Sequence, residues 1–434
     1  VSLITSVNRI FNAVNRIIII DCARKVRCVM PELPSDIDTV IIGAGPSGLS
    51  CAIQCQKNNK PFLLIEKNNR VGGRLGSFKE NGYIYDLGFQ VYNTAYEVTN
   101  SLLDMDSVNL KYFRPGAVIH DGTDFQIISD PLRDIRQLFG TLFSDISTLG
   151  DKIRILKLKG SLRGYEINRD NSKDKTTHEF LLDIGFSERM IEMFFRPFFA
   201  GIFLENKLET SSKFFKYVFS RFNSGLASLP EKGMQSIPDN LMKKIDGKNV
   251  LLEKKVVEIG EQKDIIFDDG KKLRTNNIVL TGESRSLVNE PFGQYNSTKT
   301  LYLSSRICPE REEYIHLYPC DDLINNVAIP TGISSSYSEN GDHLFSVTVL
   351  EDKISEDDLI NGVLKRLKDY YGGDKGDYKF LKCIDINRGT LRQLPGYFEH
   401  QTSQNGDVII SGEHQTNGSI EGAIISGIEA ANSL

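Results

Sequence analysis

The sequence has no tryptophan, only six histidines and no long apolar run, and these absences exclude several classes of protein. No uninterrupted apolar stretch reaches the ~20 residues of a membrane-spanning helix. The seven cysteines are odd in number and scattered, without a CxxC motif or a Cys/His cluster. We therefore predict no metal site, and we interpret the chain as an intracellular protein with reduced cysteines.

The charge balance gives no support for a nucleic-acid partner. The 52 basic and 57 acidic residues leave a net charge of −5 at neutral pH, the opposite of a basic nucleic-acid-binding surface. Hydrophobic residues make up 40% of the 434 residues, as in an ordinary globular protein. That length predicts two or three domains at about 150 residues each, and it leaves the oligomeric state open.

The first 30 residues combine an apolar helical face with basic side chains. Apolar residues recur every three to four positions up to Ile18, and the first acidic residue is Asp21. Such a pattern is typical of a transit peptide or of a helix on a membrane surface. A helix docked on the protein's own surface is the alternative. An organellar or membrane-peripheral location through residues 1–30 thus stays an open interpretation, and we predict that residues 1–35 form a separate segment and linker.

A β-rich run at residues 39–42 is followed by the turn GAGPSG at residues 43–48, a helical pattern and a second strand at 62–65. Gly43 permits the tight turn, Gly45 lets the backbone approach a diphosphate, and Gly48 allows close helix packing. The helix start at Pro46 and Ser47 offers free N–H groups to phosphates. The pattern predicts dinucleotide binding, and a close-packed turn without a ligand is the alternative.

Acidic and basic residues follow the second strand. Glu66 ends that strand at about the 20-residue spacing expected for an acid that binds ribose hydroxyls, and Lys67 beside it belongs to the predicted binding set. The motif VGGR at residues 71–74 comes next. Gly73 permits close backbone approach, and Arg74 can pair with a phosphate through two charge-assisted hydrogen bonds.

These motifs resemble a flavoprotein group that includes flavin-containing amine oxidases, protoporphyrinogen oxidases and phytoene desaturases. Members of that group share an FAD domain in which a GGR-type motif follows the first βαβ unit. The resemblance is carried by Gly43, Gly45, Gly48, Glu66, Gly72, Gly73 and Arg74. It implies FAD as cofactor and an α/β fold, with a Rossmann-like FAD-binding domain of the two-dinucleotide-binding type and an inserted mixed α+β substrate domain.

The resemblance also implies a role in cofactor binding for the segment DLGFQ at residues 86–90. In the group this segment runs beside the flavin ring, which implies that Gly88, Phe89 and Gln90 lie near the isoalloxazine. A plain strand and turn is the alternative. A backbone at the position of Val256 commonly meets the adenine in the group, and we carry that role to Val256 alone.

The C-terminal region repeats the order of strand, glycine loop and helix. In the resembled group the strand ends in Gly-Asp, where the acid binds the ribityl or pyrophosphate region. Here Gly412 is followed by Glu413, whose extra methylene shifts that contact. The helix start with Ser419, Ile420 and Ala423 is then implied to face the pyrimidine edge of the flavin, where negative charge develops on reduction.

Two residues are candidates for catalysis. Gln90 is expected to hydrogen-bond near the ring or the substrate. His414 follows Glu413 in the C-terminal glycine loop and is a candidate ribityl contact or proton relay. A structural or solvent-facing role is the alternative. No Ser/His/Asp set, carboxylate pair or metal set can be assembled from spacing.

The strands at the two ends of the chain predict one sheet built from distant segments. We expect residues 36–100, 226–290 and 386–434 to form the FAD-binding domain, and residues 101–225 and 291–385 to form the substrate domain. Helical patterns at 153–158, 180–199 and 211–222 fall in the latter.

The predicted reaction is removal of hydride from a C–H bond of an apolar small-molecule substrate, such as a polyene, terpenoid or porphyrinogen, to flavin N5. The amine-oxidase branch often frames its substrate with aromatic rings, but Asn417, Gly418 and Ser419 stand where one ring is expected. The phenylalanine-rich segment 193–199 is expected to line an apolar cleft or, alternatively, to be ordinary core. Two further hypotheses stay open: an amine oxidase, favoured by a lysine near N5, and a flavin-less escort or scaffold.

Overall fold

Two large β-sheets organise the chain. A computed structural model describes residues 36–129, 146–289, 293–350, 354–399, 404–405 and 408–434. The predicted amphipathic segment at residues 1–30 lies outside the described residues. Residues 37–434 form one compact unit.

The strands of the described residues are numbered in chain order. They are β1 Asp36–Ile42, β2 Phe62–Ile65, β3 Ser77–Glu80, β4 Tyr83–Asp86, β5 Tyr92–Asn93, β6 Leu110–Tyr112, β7 Gly116–His120, β8 Phe125–Ser129, β9 Ala227–Pro230, β10 Val250–Leu251, β11 Val256–Ile259, β12 Asp264–Phe267, β13 Lys272–Thr281, β14 Tyr295–Ser305, β15 Ile315–Leu317, β16 Asn326–Ala328, β17 His343–Val349, β18 Tyr378–Leu391, β19 Gln404–Asn405 and β20 Val408–Ser411.

The α-helices are numbered in the same way. They are α1 Pro46–Lys57, α2 Glu97–Leu102, α3 Met105–Val108, α4 Leu149–Ser161, α5 Thr177–Asp183, α6 Glu188–Met190, α7 Arg196–Phe203, α8 Ser212–Ser224, α9 Ser236–Met242, α10 Pro330–Ile333, α11 Glu356–Tyr371 and α12 Ile420–Ser433. Within the described ranges, no helix combines the length and apolar character that a membrane crossing requires.

The first large sheet draws its strands from three distant parts of the chain. Its strand order is β10-β2-β1-β13-β12-β11, with β20 beside β13 and β19 beside β20. Strands β1 and β2 run parallel, as do β13 and β20. Because residues 39–42 of β1, all of β2 and residues 278–281 of β13 are buried, these stretches are mostly apolar and do not alternate with polar residues.

The second large sheet has the order β18-β14-β17-β16-β15-β7-β8 and is mostly antiparallel. One face of this sheet packs on the long helix α11. The Ser355 side chain caps the start of that helix. Helices α4 to α8 form a separate apolar cluster rich in phenylalanine beside β7, β8 and β15. Thr148 and Thr176 start α4 and α5 with capping boxes, so sequence-local signals set both helix starts.

The helical pattern predicted over residues 180–199 is wrong in its continuity. Gly185 adopts a φ of 88°, which stops the helix after Asp183, and the Ser187 side chain then caps a new helix. The second part contains a π-helical stretch, Ile191–Phe195, before α7. Apolar periodicity alone does not detect a left-handed glycine, because the apolar spacing continues on both sides of it.

Candidate functional site

The predicted site lies where four strands of the first sheet end. Strands β1, β2, β13 and β20 point the same way, so their carboxyl ends meet at one edge. The residues that follow them directly are Gly43, Glu66, Gly282 and Gly412. Open α/β sheets bind ligands at this kind of edge.

The glycines of the first turn divide into two that allow packing and one that leaves open space. Gly43 has a φ of 100°, and a methyl group on it would lie 2.6 Å from Thr281 Oγ1. A methyl group on Gly48 would lie 1.9 Å from the Gly43 carbonyl oxygen. By contrast, no atom of the described residues comes within 4 Å of a methyl group placed on Gly45. Gly73 lies next to Gly45, since its methyl position is 3.5 Å from the Gly45 Cα.

Glu66 is buried, and neighbouring residues donate hydrogen bonds to both oxygens of its carboxylate. Oε1 accepts hydrogen bonds from the Asn68 backbone N–H at 2.9 Å and the Asn68 side chain at 2.6 Å. Among the described residues, only the Ala44 N–H donates to Oε2, at 2.9 Å. Because a carboxylate oxygen can accept two hydrogen bonds, Oε2 retains capacity for a ligand hydroxyl. Lys67 is exposed and pairs with Glu283 at 3.4 Å.

Val256 begins β11, next to Glu66. Two residues before Val256, the Lys254 N–H donates a hydrogen bond of 3.0 Å to the Glu66 carbonyl, which fixes the start of β11 beside Glu66. The Val256 side chain is buried and its backbone pairs with Phe267 of β12. The residue therefore lies on the Glu66 side of the sheet edge.

Arg74 and Glu413 form an ion pair that links the GGR motif to the C-terminal loop. The Tyr295 hydroxyl donates to Glu413 Oε1 at 2.9 Å, and the Arg74 guanidinium lies 5.2 Å from the centre of the Tyr295 ring. Burial opposes ionisation of Glu413, but the Arg74 charge, the neighbouring His414 and the Tyr295 hydrogen bond together outweigh it and hold the pKa of Glu413 below its usual range. No motif indicates Tyr295, which begins β14 in a region of loose resemblance.

The segment around Gly88 packs against the second sheet. A methyl group on Gly88 would lie 2.2 Å from Ile386 and 3.7 Å from Thr300 Oγ1. The Phe89 ring contacts the Phe113 ring edge-on at 6.1 Å. The Gln90 amide donates to the Arg74 carbonyl at 2.8 Å, but its buried Oε1 accepts from none of the described residues.

His414 is buried, which excludes the solvent-facing alternative. Burial, followed by the nearby Arg285 charge, lowers the pKa of His414 to about 4, so its ring is neutral near pH 7. Neither ring nitrogen has a hydrogen-bond partner in the described part of the chain. A buried imidazole without partners is costly, which indicates that a ligand or water group belongs beside it.

The second glycine-lined helix start lies directly on the first. Ser47 of α1 and Ser411 of β20 share a hydrogen bond of 2.6 Å, and Ser50 Oγ donates to the Ile424 carbonyl at 2.9 Å. A methyl group on Gly427 would lie 2.1 Å from the Ser47 carbonyl oxygen. Small residues therefore allow α12 and α1 to pack in close contact.

The first turn of α12 is fixed from both directions. Ser419 is its N-cap and accepts a hydrogen bond of 2.9 Å from the Gly422 N–H, with Ile420 and Ala423 in the turn that follows. The buried Glu421 carboxylate accepts from the backbone N–H groups of Val98 and Thr99 at the start of α2. This contact locks the helix start in place, and sequence patterns did not indicate it.

Comparison with known proteins identifies the family. A model of flavin containing amine oxidoreductases matches residues 46–434. The chain belongs to the flavin containing amine oxidoreductase family. It is thus an FAD-dependent oxidoreductase, which confirms the predicted cofactor and enzyme class.

Curated relatives match only in part. A 1-hydroxycarotenoid 3,4-desaturase of Flavobacterium is 25% identical over 203 residues, which cover 44% of this chain and 40% of the relative. Protoporphyrinogen oxidase 2 of Arabidopsis thaliana is 25% identical over 177 residues, covering 39% of this chain and 33% of the relative. The flavoprotein thus spans less than half the length of either relative.

Similarity of fold extends further than similarity of sequence. A structure of putrescine oxidase bound to putrescine superposes with a TM-score of 0.68 at 15% identity, covering 92% of this chain and 98% of that one. This similarity confirms the predicted α/β, Rossmann-like fold class.

The residues of the flavoprotein fit FAD. The space in front of Gly45 at the start of α1 suits a diphosphate, because free N–H groups and the positive helix end favour anions there. The buried Gln90 Oε1 and both His414 ring nitrogens lack partners in the described ranges and lie in segments expected to face the cofactor. The Arg74 guanidinium, with 41% of its side chain exposed, has surface left for a phosphate.

Proposed function

We propose that this flavoprotein oxidises a C–H bond of an apolar substrate of polyene, terpenoid or porphyrinogen type. When bound, FAD would supply the chemistry by accepting a hydride at N5. In this proposal residues 36–100, 226–290 and 386–434 hold the cofactor, and residues 101–225 and 291–385 hold the substrate. The chain's task is to orient the reacting bond and to exclude water.

The proposed cofactor contacts follow the sheet edge. The residues that hold the diphosphate and ribose are Gly43, Gly45, Pro46, Ser47, Gly48, Glu66, Lys67, Gly73 and Arg74, with Val256 at the adenine. Those that hold the ribityl chain and ring are Gly88, Phe89, Gln90, Gly412, Glu413, Ser419, Ile420 and Ala423. We assign Gln90 Oε1 and the neutral His414 ring to hydrogen bonds with cofactor or substrate, because both are buried and unpartnered among the described residues.

One contact supports an apolar substrate most directly. A row of three phenylalanine rings, here called the aromatic wall, reaches the loop that precedes α12. The Phe214 ring lies 3.7 Å from the methyl position of Gly418. Phe214 in turn packs on Phe203 with ring centres 5.7 Å apart, and Phe203 packs on Phe199 at 5.4 Å. Phe199, Phe203 and Phe214 are all buried, as the alternative interpretation expected, and we propose that only the edge of the Phe214 ring that approaches Gly418 meets the substrate.

The surroundings of Gly88 argue against an amine oxidase. Thr300 and Ile386 are the side chains that approach it, whereas Lys299 lies on the opposite face of β14. Lys299 pairs there with Asp385 at 3.5 Å. This strand therefore does not supply the lysine near N5 that would favour the amine-oxidase hypothesis.

Anaerobic reduction of the bound flavin tests the proposal. The purified flavoprotein should be yellow, and its visible absorption should bleach when a polyene or porphyrinogen is added in detergent micelles. Putrescine and benzylamine should leave the spectrum unchanged. Bleaching by amines alone would favour the amine oxidase, and a colourless protein that does not take up FAD would favour the escort.

A matched pair of variants separates the aromatic wall from the cofactor site. Phe214→Ala should slow reduction by the apolar substrate while the flavin remains bound, because it removes the ring nearest Gly418. Phe345→Leu, in the core of the second sheet, serves as control and should leave the rate unchanged in folded protein. Equal rates for Phe214→Ala and wild type would contradict a substrate at this wall.

We also propose that residues 1–30 bring the flavoprotein to an intracellular membrane surface, where apolar substrates accumulate. Their basic, acid-poor composition supports this proposal. Full-length protein should sediment with anionic phosphatidylserine vesicles, and protein lacking residues 1–30 should not. Equal sedimentation of both would contradict the proposal.

A further inference from the structure

A second cluster of reactive side chains lies outside the flavin site, on the second sheet. Cys308, Glu312 and His343 place a sulfur, a carboxylate oxygen and a ring nitrogen within 4.8 Å of one another. The sheet explains the approach, since His343 pairs with Ser305 at the end of β14. The chain that leaves β14 therefore turns back over the first residue of β17.

Two of these atoms face each other without a hydrogen bond. Glu312 Oε2 and His343 Nδ1 are 2.9 Å apart, both are shielded from solvent, and neither has a hydrogen-bond partner in the described part of the chain. Two electron-rich atoms at this distance are stable only with a cation or a proton between them.

The local backbone makes room for the Glu312 side chain. A methyl group on Gly332 would lie 2.6 Å from Glu312 Cγ, so a glycine is required at this position of α10. Gly332 thus leaves space for the Glu312 side chain, whose Oε2 lies beside His343.

We propose that Cys308, Glu312 and His343 bind a divalent cation of the zinc class. Thiolate, imidazole and carboxylate are the ligands that zinc prefers, and three protein ligands leave a fourth position for water. Such an ion would tie the connection after β14 to the start of β17. The site is independent of the proposed oxidation, and its ligand spacing matches no sequence motif, which is why the sequence predicted no metal.

Metal content measures the site directly. The full chain, kept reduced with a phosphine and first freed of metal, is equilibrated with zinc chloride, desalted and analysed by mass spectrometry. We expect about one zinc per chain, and X-ray absorption should show one sulfur among nitrogen and oxygen ligands. Changes to residues that only contact a metal ligand weaken metal binding by roughly 10–100-fold. Cys308→Ser and His343→Gln remove a ligand itself, so each should weaken zinc binding by more than that.

Matched controls keep the experiment decisive. Cys320→Ser and His178→Gln change a second exposed cysteine and a histidine outside the cluster, and both should retain zinc. Each variant is checked by circular dichroism, and zinc should raise the melting temperature of wild type but not of Cys308→Ser. Absence of zinc from folded wild type, or equal zinc in wild type and both cluster variants, would overturn the proposal.

Discussion

Ser47 and Ser411 share a hydrogen bond of 2.6 Å although 364 positions separate them in the chain. Ser47 lies in the first turn of α1, and Ser411 is the last residue of β20. Ser411 also lies 3.1 Å from Ser426 of α12. The two glycine-lined helix starts, which sequence patterns identified separately, are thus held together by direct contact.

This contact predicts that α12 tolerates no side chain at Gly427. In Gly427→Ala the new methyl group would lie 2.1 Å from both the Ser47 carbonyl oxygen and Ser50 Oγ. We expect the free energy of unfolding to fall by about 1–3 kcal/mol, as for other overpacked sites. Urea denaturation followed by circular dichroism measures the change.

Gly160→Ala is the control for the same substitution. Gly160 lies in α4, is exposed and has no atom of the described residues within 4 Å of its methyl position. Alanine should therefore stabilise the helix by up to about 1 kcal/mol. Equal effects of the two substitutions would show that close packing of α12 on α1 is not what Gly427 provides.

A substitution at Gly45 should weaken FAD binding without affecting stability, whereas the substitution at Gly427 should affect stability. Its φ of −71° and ψ of 179° suit any residue, and the space around its methyl position is open. Gly45→Ala should change the stability of the FAD-free protein by no more than about 0.5 kcal/mol. FAD affinity, measured by fluorescence titration, should fall at least about tenfold, or 1.4 kcal/mol, because the methyl group occupies the proposed diphosphate position.

Gly247→Ala is the comparison for that experiment. Gly247 is also open to solvent but lies in a turn before β10, away from the sheet edge. FAD affinity should be unchanged in this variant. If Gly45→Ala binds FAD as tightly as Gly247→Ala, the diphosphate does not lie against Gly45.

Local motifs were predictable because their geometry is local. The turn at Gly43 and the strand Phe62–Ile65 follow from residues a few positions apart, and the structure reproduces them. Tyr295 and Thr300 reach the site only because β14 of the second sheet packs against it. No spacing rule connects such residues to the glycine motifs, since their approach depends on how two sheets pack.

Asp86 predicts a distinctive pH dependence next to the segment of Gly88. Its carboxyl is buried and accepts hydrogen bonds of 2.9 Å from the Met234 N–H and the Tyr337 hydroxyl. Burial outweighs these donors and raises the pKa of Asp86 to about 7. Between the usual aspartate pKa of about 4 and pH 7, the folded state therefore binds more protons than the unfolded state.

Stability should consequently fall as pH rises through that window. Asp86→Asn cannot ionise, so its free energy of unfolding should lack this decline, and the difference from wild type should reach a few kcal/mol at pH 8. Asp369→Asn, at an exposed position of α11, should keep the wild-type slope. Parallel pH curves for wild type and Asp86→Asn would contradict the raised pKa.

The Arg74–Glu413 ion pair should show energetic coupling that a surface pair lacks. The Glu413 side chain is only 10% exposed, whereas that of Arg74 is 41% exposed, so solvent screens the pair in part. A double-mutant cycle with Arg74→Gln and Glu413→Gln should give a coupling energy of about 1–2 kcal/mol near pH 7. Lys79–Glu339, exposed at both ends, should give less than about 1 kcal/mol in the same assay.

Acid should remove this coupling in a defined direction. Because the pKa of Glu413 is lower in the folded state, its contribution is complete above the usual glutamate pKa of about 4.3 and is lost as pH falls through the lowered value. Urea denaturation of the four proteins of the cycle at pH 7 and at successively lower pH measures the loss. A coupling energy no larger than that of Lys79–Glu339, or one that persists after Glu413 is protonated, would mean that the two motifs are joined by packing alone.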